Sequence, residues 1–217
     1  MELFVFLAAG TILMLIVMLY LRKYYQLNIW KTIMLSVMLT VSGTIGTKVL
    51  YWIENGSMGG VSFFGAIFFA PIFMTLFAVI LKTSVGTVLD ICAPAECMML
   101  TLMKISCLTS GCCKGRIVGM IGDVSIRFPS QIVEMLASFI LMIFLIILIK
   151  KSKYRNQVYA CYMIGYGVMR FVLNWFRETT TFILKLPAGN FWSIISVCGG
   201  IIIIWYLNNR KNYTRNR

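Results

Sequence analysis

Five polar residues recur down one apolar stretch near the end of the chain. Tyr162, Tyr166, Arg170, Asn174 and Arg177 are spaced four, four, four and three apart, which places them on one helical face. An arginine inside such a stretch is expensive unless it faces protein, water or a bound anion. Two readings stand. In one, Arg170 pairs with Glu134, Asp90 or Glu96 and ties helices together. In the other, Arg170 and Arg177 hold a phosphate, for which the guanidinium fork is well shaped. A second stripe, Ser130, Gln131, Glu134 and Ser138, follows Pro129, a residue at home in a first helical turn. Its carboxylate is embedded, so it either donates a proton or is paired and orients a neighbour.

The third place is CLTSGCCKGRIVGMIGD, residues 107–123. Its glycines, Gly111, Gly115, Gly119 and Gly122, mark turns or close backbone approach. Lys114 and Arg116 among them could form an anion-binding concavity with backbone N–H groups. Cys107, Cys112 and Cys113 leave three readings open: a disulfide from Cys107 to one of the pair, a thiol activated by Lys114 and Arg116, or small packing residues. Their spacing is no recognised zinc pattern and a fourth ligand is missing nearby, so no metal and no cofactor is expected. Cys92, Cys97, Cys161 and Cys198 read as packing residues. There is no histidine, which excludes a histidine base or triad. The inner carboxylates are Glu134, Asp90 and Glu96, while Asp123 and Glu54 are placed in outer loops.

These residues need helices in a membrane to position them. The 217-residue chain is 60% hydrophobic and 12% charged, against about 45–50% and 25% in soluble domains. Mean hydropathy is +0.87. Seven stretches near crossing length appear at 3–21, 32–53, 61–81, 87–106, 129–149, 157–176 and 186–207. The first reads as an uncleaved span, since Arg22 and Lys23 follow it rather than a cleavage site. The second carries Thr40, Ser42, Gly43, Thr44, Gly46 and Thr47, a face suited to a helix interface. Pro71 can kink the third. The fourth holds Asp90, Pro94, Glu96 and Lys104, so it lines a polar cavity or is a loop.

Twelve lysines and arginines fall on the side shared by the loops after spans 1, 3 and 5 and the C-terminus; five fall opposite. The positive-inside rule then puts the N-terminus outside and the C-terminus in the cytoplasm. Much of the net +13 is therefore topology, not a nucleic-acid footprint. The fold class is an all-α integral membrane protein of about seven helices. A transmembrane domain covers 1–207, with an outer Gly/Cys-rich loop at about 107–127, ahead of a basic tail at 208–217.

The order GGVSFFGA (59–66), LDICAPAE (89–96), KISCLTSGCCKG (104–115), FPSQIVE (128–134) and GYGVMRFVLNWFR (165–177) resembles the bacterial prolipoprotein diacylglyceryl transferases. That family moves the diacylglyceryl group of phosphatidylglycerol to the thiol of a cysteine in a lipoprotein precursor, releasing glycerol phosphate. Gly59, Gly60 and Ser62 match the start of a family motif, and Phe64 stands where its histidine would be. Asp90 and Pro94 match another. In the glycine-rich block Lys104 replaces Arg, Cys107 replaces Asn and Cys112 replaces Glu, while Gly111 and Gly115 remain. Phe128 replaces a second histidine ahead of the retained Pro129, Gln131 and Glu134. Tyr166, Gly167, Arg170 and Arg177 are kept, and Asn174 stands for a Glu. The family's outer domain shrinks here to a dozen or so residues.

The resemblance implies that Lys104, Gly111, Gly115, Arg116, Gln131, Tyr166, Asn174 and Arg177 bind an anionic, phosphatidylglycerol-like phospholipid. Glu134, Arg170 and Cys112 are then the catalytic candidates, with Glu134 as proton acceptor. Gly59, Gly60, Asp90, Pro94 and Pro129 are expected to be structural. Lipoprotein precursor peptides are the expected partner, and the bacterial plasma membrane the expected location. Two alternatives remain: a divergent cysteine-dependent lipid or acyl transferase, and a non-catalytic lipid-binding membrane protein.

Overall fold

A helix that carries three charges is the one most enclosed by the others. In the computed structural model, which describes residues 2–121, 124–178 and 181–215, α4 (Val85–Thr109) packs against α1 (Glu2–Tyr25), α2 (Ile29–Asn55), α3 (Phe64–Ile80), α5 (Ser130–Lys150) and α6 (Val158–Asn174). Its most apolar stretch is 61% buried, against 22–33% for the other four long apolar helices. A helix in that position can carry Asp90, Glu96 and Lys104 because protein, not lipid, surrounds them. The loop alternative for 87–106 is thereby removed. α7 (Ala188–Arg215) packs on α6, and the polar stretch from residue 208 continues the same helix through Arg215.

Of the seven α-helices among the described residues, α1, α2, α4, α5 and α7 are long and apolar enough to cross a bilayer. α3 and α6 have 17 residues each. Two features let short, interrupted helices pack. Pro71 cannot donate to the Ile67 carbonyl, and the Tyr159 hydroxyl from α6 donates to that oxygen instead at 3.0 Å. Gly46 of α2 and Gly65 of α3 bring the two backbones together, since a Cβ on Gly65 would strike the Gly46 carbonyl.

The loops after α1, α3 and α5 meet at one end. Lys31 donates to Leu81 O at 2.7 Å, and Arg155 donates to Tyr24 O at 2.7 Å. At this end Asp90 performs a service for another helix. Its carboxylate accepts from the backbone N–H groups of Asn156 (2.6 Å), Val158 (3.0 Å) and Tyr159 (3.4 Å), and from the Tyr25 hydroxyl at 2.9 Å. Gln157, the residue before α6, makes no side-chain cap of its own. Asp90 of α4 therefore fills the capping role from across the bundle.

At the other end the loop between α4 and α5 is partly sheet, which the all-helical reading did not include. Strands β1 (Ile117–Ile121) and β2 (Val124–Arg127) pair antiparallel, with an irregularity between Ile117 and Gly119. A smaller hairpin joins β3 (Phe182–Ile183) to β4 (Leu186–Pro187). The β-branched residues of 117–127 suit a half-exposed hairpin better than a helix. Gly122 and Asp123 lie outside the described residues.

Candidate functional site

Glu134 is the meeting point of three helices. It stands one turn into α5, 1% exposed, and its backbone oxygen accepts from Ser138 Oγ at 2.6 Å. Arg170 Nη1 of α6 lies 2.5 Å from its Oε1. Lys104 Nζ of α4 and Arg177 Nη1 reach Oε2 at 3.0 and 3.3 Å. Of the partners open to Arg170 from sequence, Glu134 is the one it takes. Asp90 caps α6 instead, and Glu96 is buried near Tyr159 and Tyr162, with neither carboxyl oxygen in good hydrogen-bond geometry among the described residues.

Three largely buried cations meet one carboxylate, so positive charge outnumbers negative in the contact set. Burying unpaired charge is costly, so this arrangement is suited to a further anion. Lys104, Glu134, Arg170 and Arg177 line a cavity of about 370 Å³. Its wall also includes the apolar side chains Leu7, Met14, Leu39, Phe63, Phe64 and Leu100. Cations and apolar side chains lining one cavity suit an amphiphile with an anionic head.

The helical stripe of α6 holds only as far as Asn174. The helix ends there because the chain turns to pair with the loop between α4 and α5: Gly115 bridges Arg177, and Arg116 N–H donates to Phe176 O at 2.9 Å. Turn-type bonds from Phe176 and Arg177 back to Leu173 and Asn174 keep Arg177 close enough to reach Glu134. Gly115 permits this approach, as a Cβ there would strike the Phe128 carbonyl. Tyr166 and Asn174 also line the cavity, but the Asn174 amide donates to Asn190 Oδ1 at 2.7 Å.

The remaining expected ligands stand behind this wall. Gln131 donates to Cys112 O at 2.7 Å, Ser130 Oγ donates to Cys113 O at 2.8 Å, and Arg116 Nε donates to Arg177 O at 2.9 Å. Gly111 has φ 64° and turns the chain after α4. Cys112 is exposed and outside the cavity wall, whereas Cys107 and Cys113 are part of it. Pro129 precedes α5, and Pro94 lies inside α4. Gly60 abuts the Tyr51 ring, while Gly59 faces open space, so no contact there demands glycine.

The two positions where the resembled family has histidine are filled by aromatic packing. Phe64 meets the Tyr166 ring edge-on at 5.2 Å, and Phe128 stacks on Phe176 at 4.7 Å.

Two groups escaped the sequence reading. Glu54 is not in a loop but in the last turn of α2, lines the cavity, and accepts from Ser62 Oγ at 3.0 Å. The signal was present: Thr40, Thr44, Thr47, Tyr51 and Glu54 recur at three or four residues and line one wall. The second is the convergence of Cys107, Cys112 and Cys113, whose sulfurs all lie within 4.8 Å of one another. A hydrogen bond from Cys107, helped by the fields of Lys104 and Arg177 and opposed by burial, holds the Cys113 thiol below the usual thiol range. All seven cysteines are free.

Fold and site together define a multi-pass membrane protein with a largely buried cationic cluster in the wall of a mainly apolar cavity. The chain belongs to the prolipoprotein diacylglyceryl transferase family, whose model matches residues 4–206. It is 27% identical over 161 residues to the phosphatidylglycerol–prolipoprotein diacylglyceryl transferase of Verminephrobacter eiseniae, covering 68% of this chain and 58% of that protein. The enzyme of the same name from Chlorobaculum tepidum is 27% identical over 77% of this chain and 65% of its own length. A second such transferase of Clostridium perfringens is 26% identical over 84% and 80%. The match thus spans less than two thirds of the first two relatives. The family is one of transferases in lipoprotein biosynthesis.

Proposed function

We propose that this protein transfers a diacylglyceryl group from phosphatidylglycerol to the cysteine thiol of a lipoprotein precursor. The observation that carries the reading is the trio Lys104, Arg170 and Arg177 around Glu134 in the wall of a mainly apolar cavity. The headgroup phosphate binds against the trio, and the acyl chains follow the apolar wall. The acceptor thiolate attacks the glyceryl carbon that bears the phosphate. A C–S bond forms, the C–O bond breaks, and glycerol phosphate leaves with the electron pair, stabilised by the cations.

Glu134 was the expected proton acceptor, but both of its oxygens are committed to cations. We assign it to holding the three cations in place. Glu54 takes the thiol proton in this scheme, since it lines the same cavity and has a hydroxyl rather than a cation as its close partner. Seven spans, the N-terminus outside, a cytoplasmic tail from residue 208 and a bacterial plasma membrane location complete the proposal. The charge bias and the meeting of the loops after α1, α3 and α5 at one end support that orientation.

The test is purified protein with labelled phosphatidylglycerol and a precursor peptide carrying the acceptor cysteine. Thioether product is expected, lost in Arg170→Ala and strongly slowed in Glu54→Gln. No product above blank would overturn the transferase reading. The cysteine-dependent alternative is favoured by one observation, the placement of Cys113 in the cavity wall. It requires lipid or acyl mass on that thiol during turnover.

A further inference from the structure

The transfer reaction makes no use of the three thiols gathered beside the cavity. Cys107 is fixed on α4, two residues before its end. Past that end the chain doubles back through two left-handed residues, Gly111 (φ 64°) and Cys113 (φ 57°). The Cys112 N–H closes the turn on Cys107 O at 3.1 Å. The carbonyls of Cys112 and Cys113 are held by Gln131 and Ser130 in the first turn of α5. Two helices therefore aim three sulfurs at one point.

The sulfur spacing suits a metal. A thiophilic cation binds each sulfur at about 2.3 Å, which sets sulfurs about 3.8–4.0 Å apart in tetrahedral or trigonal arrays. Here all three lie within 4.8 Å of one another, so small side-chain rotations complete the set. The charge balance also fits. Three thiolates around a monovalent or divalent cation leave a net negative complex, and Lys104 and Arg177, which line the same cavity as Cys107 and Cys113, oppose that charge.

We propose that Cys107, Cys112 and Cys113 form a three-thiolate binding site for a soft d10 cation of the copper(I) or zinc(II) class. Binding sends to solvent whatever protons the thiols still hold, forms three metal–sulfur bonds and changes no oxidation state. Copper(I) fits three soft ligands as they stand; zinc(II) takes a water in fourth position. Cys112 is the solvent-exposed member, and gives the ion a way in. Cys107 and Cys113 give the occupied site a face on the cavity.

Cadmium(II) serves as the probe, titrated into the full chain purified in detergent with its thiols reduced. One cadmium per chain is expected, with a thiolate charge-transfer band in the ultraviolet. Iodoacetamide labelling read by mass spectrometry should show Cys107, Cys112 and Cys113 protected together. Cys107→Ser, Cys112→Ser and Cys113→Ser should each weaken binding by more than about 100-fold, since even outer-shell losses cost 10–100-fold. Cys198→Ser should leave binding unchanged, and unfolding temperatures of the serine variants show that they are folded. Cadmium without joint protection of the trio overturns the proposal, as does protection centred on Cys161 or Cys198. A purified chain that yields two of the three thiols only after reduction also overturns it, because a disulfide then holds the position.

Discussion

Glu134→Gln keeps the shape of the side chain and deletes the charge on which three cations converge. Removing one member of a buried ion pair costs about 3–5 kcal/mol, because the partner is left stranded. In this protein three partners are stranded, at 2.5, 3.0 and 3.3 Å, which places the loss in the upper half, about 4–5 kcal/mol. For a chain of this size each kcal/mol moves the unfolding midpoint by roughly 2–4 °C, giving a fall of about 8–20 °C. The assay is thermal unfolding in detergent, with and without phosphatidylglycerol, and with uncharged diacylglycerol as control. If the cluster receives a phosphate, the lipid supplies the missing negative charge and about half of the fall returns. Diacylglycerol returns none of it. A fall of under ~2 °C, or one that the anionic lipid does not reduce, refutes the reasoning from charge excess.

Three further outcomes follow from the packing. Asp90→Ala removes the cross-helix cap of α6 and should cost about 2 kcal/mol, with faster amide exchange at Val158 and Tyr159; unchanged exchange there contradicts the capping role. Gly65→Val drives a side chain into the Gly46 backbone and should cost about 3 kcal/mol. Gly43→Ala, whose Cβ meets only Ala66 Cβ at 3.8 Å, should stay within about 0.5 kcal/mol in the same unfolding assay. Tyr159→Phe leaves the Ile67 carbonyl unsatisfied beside Pro71, a loss of about 1–3 kcal/mol, which Pro71→Ala should largely restore in the double variant.

Helical periodicity made the inner face of α6 legible, since a buried arginine at four-residue spacing from two tyrosines has few affordable settings. Glu134 was legible for the same reason. Periodicity stopped being informative where the chain left the helices. Arg177 lies past the end of α6, and its place depends on a bridge to Gly115 that no local pattern encodes. The thiol cluster depends on two left-handed residues and on side chains of α5, so spacing along 107–113 alone could not show it. Glu54 was missed differently. Its α2 stripe was present in the sequence, but its hydroxyls suggested helix contact and masked a cavity wall.

The cap that Asp90 places on α6 also has a direction in time. α4 precedes α6 in the chain, so the carboxylate is already made when the first turn of α6 emerges needing acceptors. From that bond to Arg170 the helix runs 12 residues, about 18 Å. α6 is therefore anchored at the end far from its arginine, and the depth at which Arg170 stops is set by its length from that anchor. A one-residue insertion between Val158 and Arg170 would turn the arginine about 100° away from Glu134, whereas an insertion beyond Asn174 would leave it in place. The stretch between anchor and arginine acts as a ruler, cut by the sequence and read from its far end.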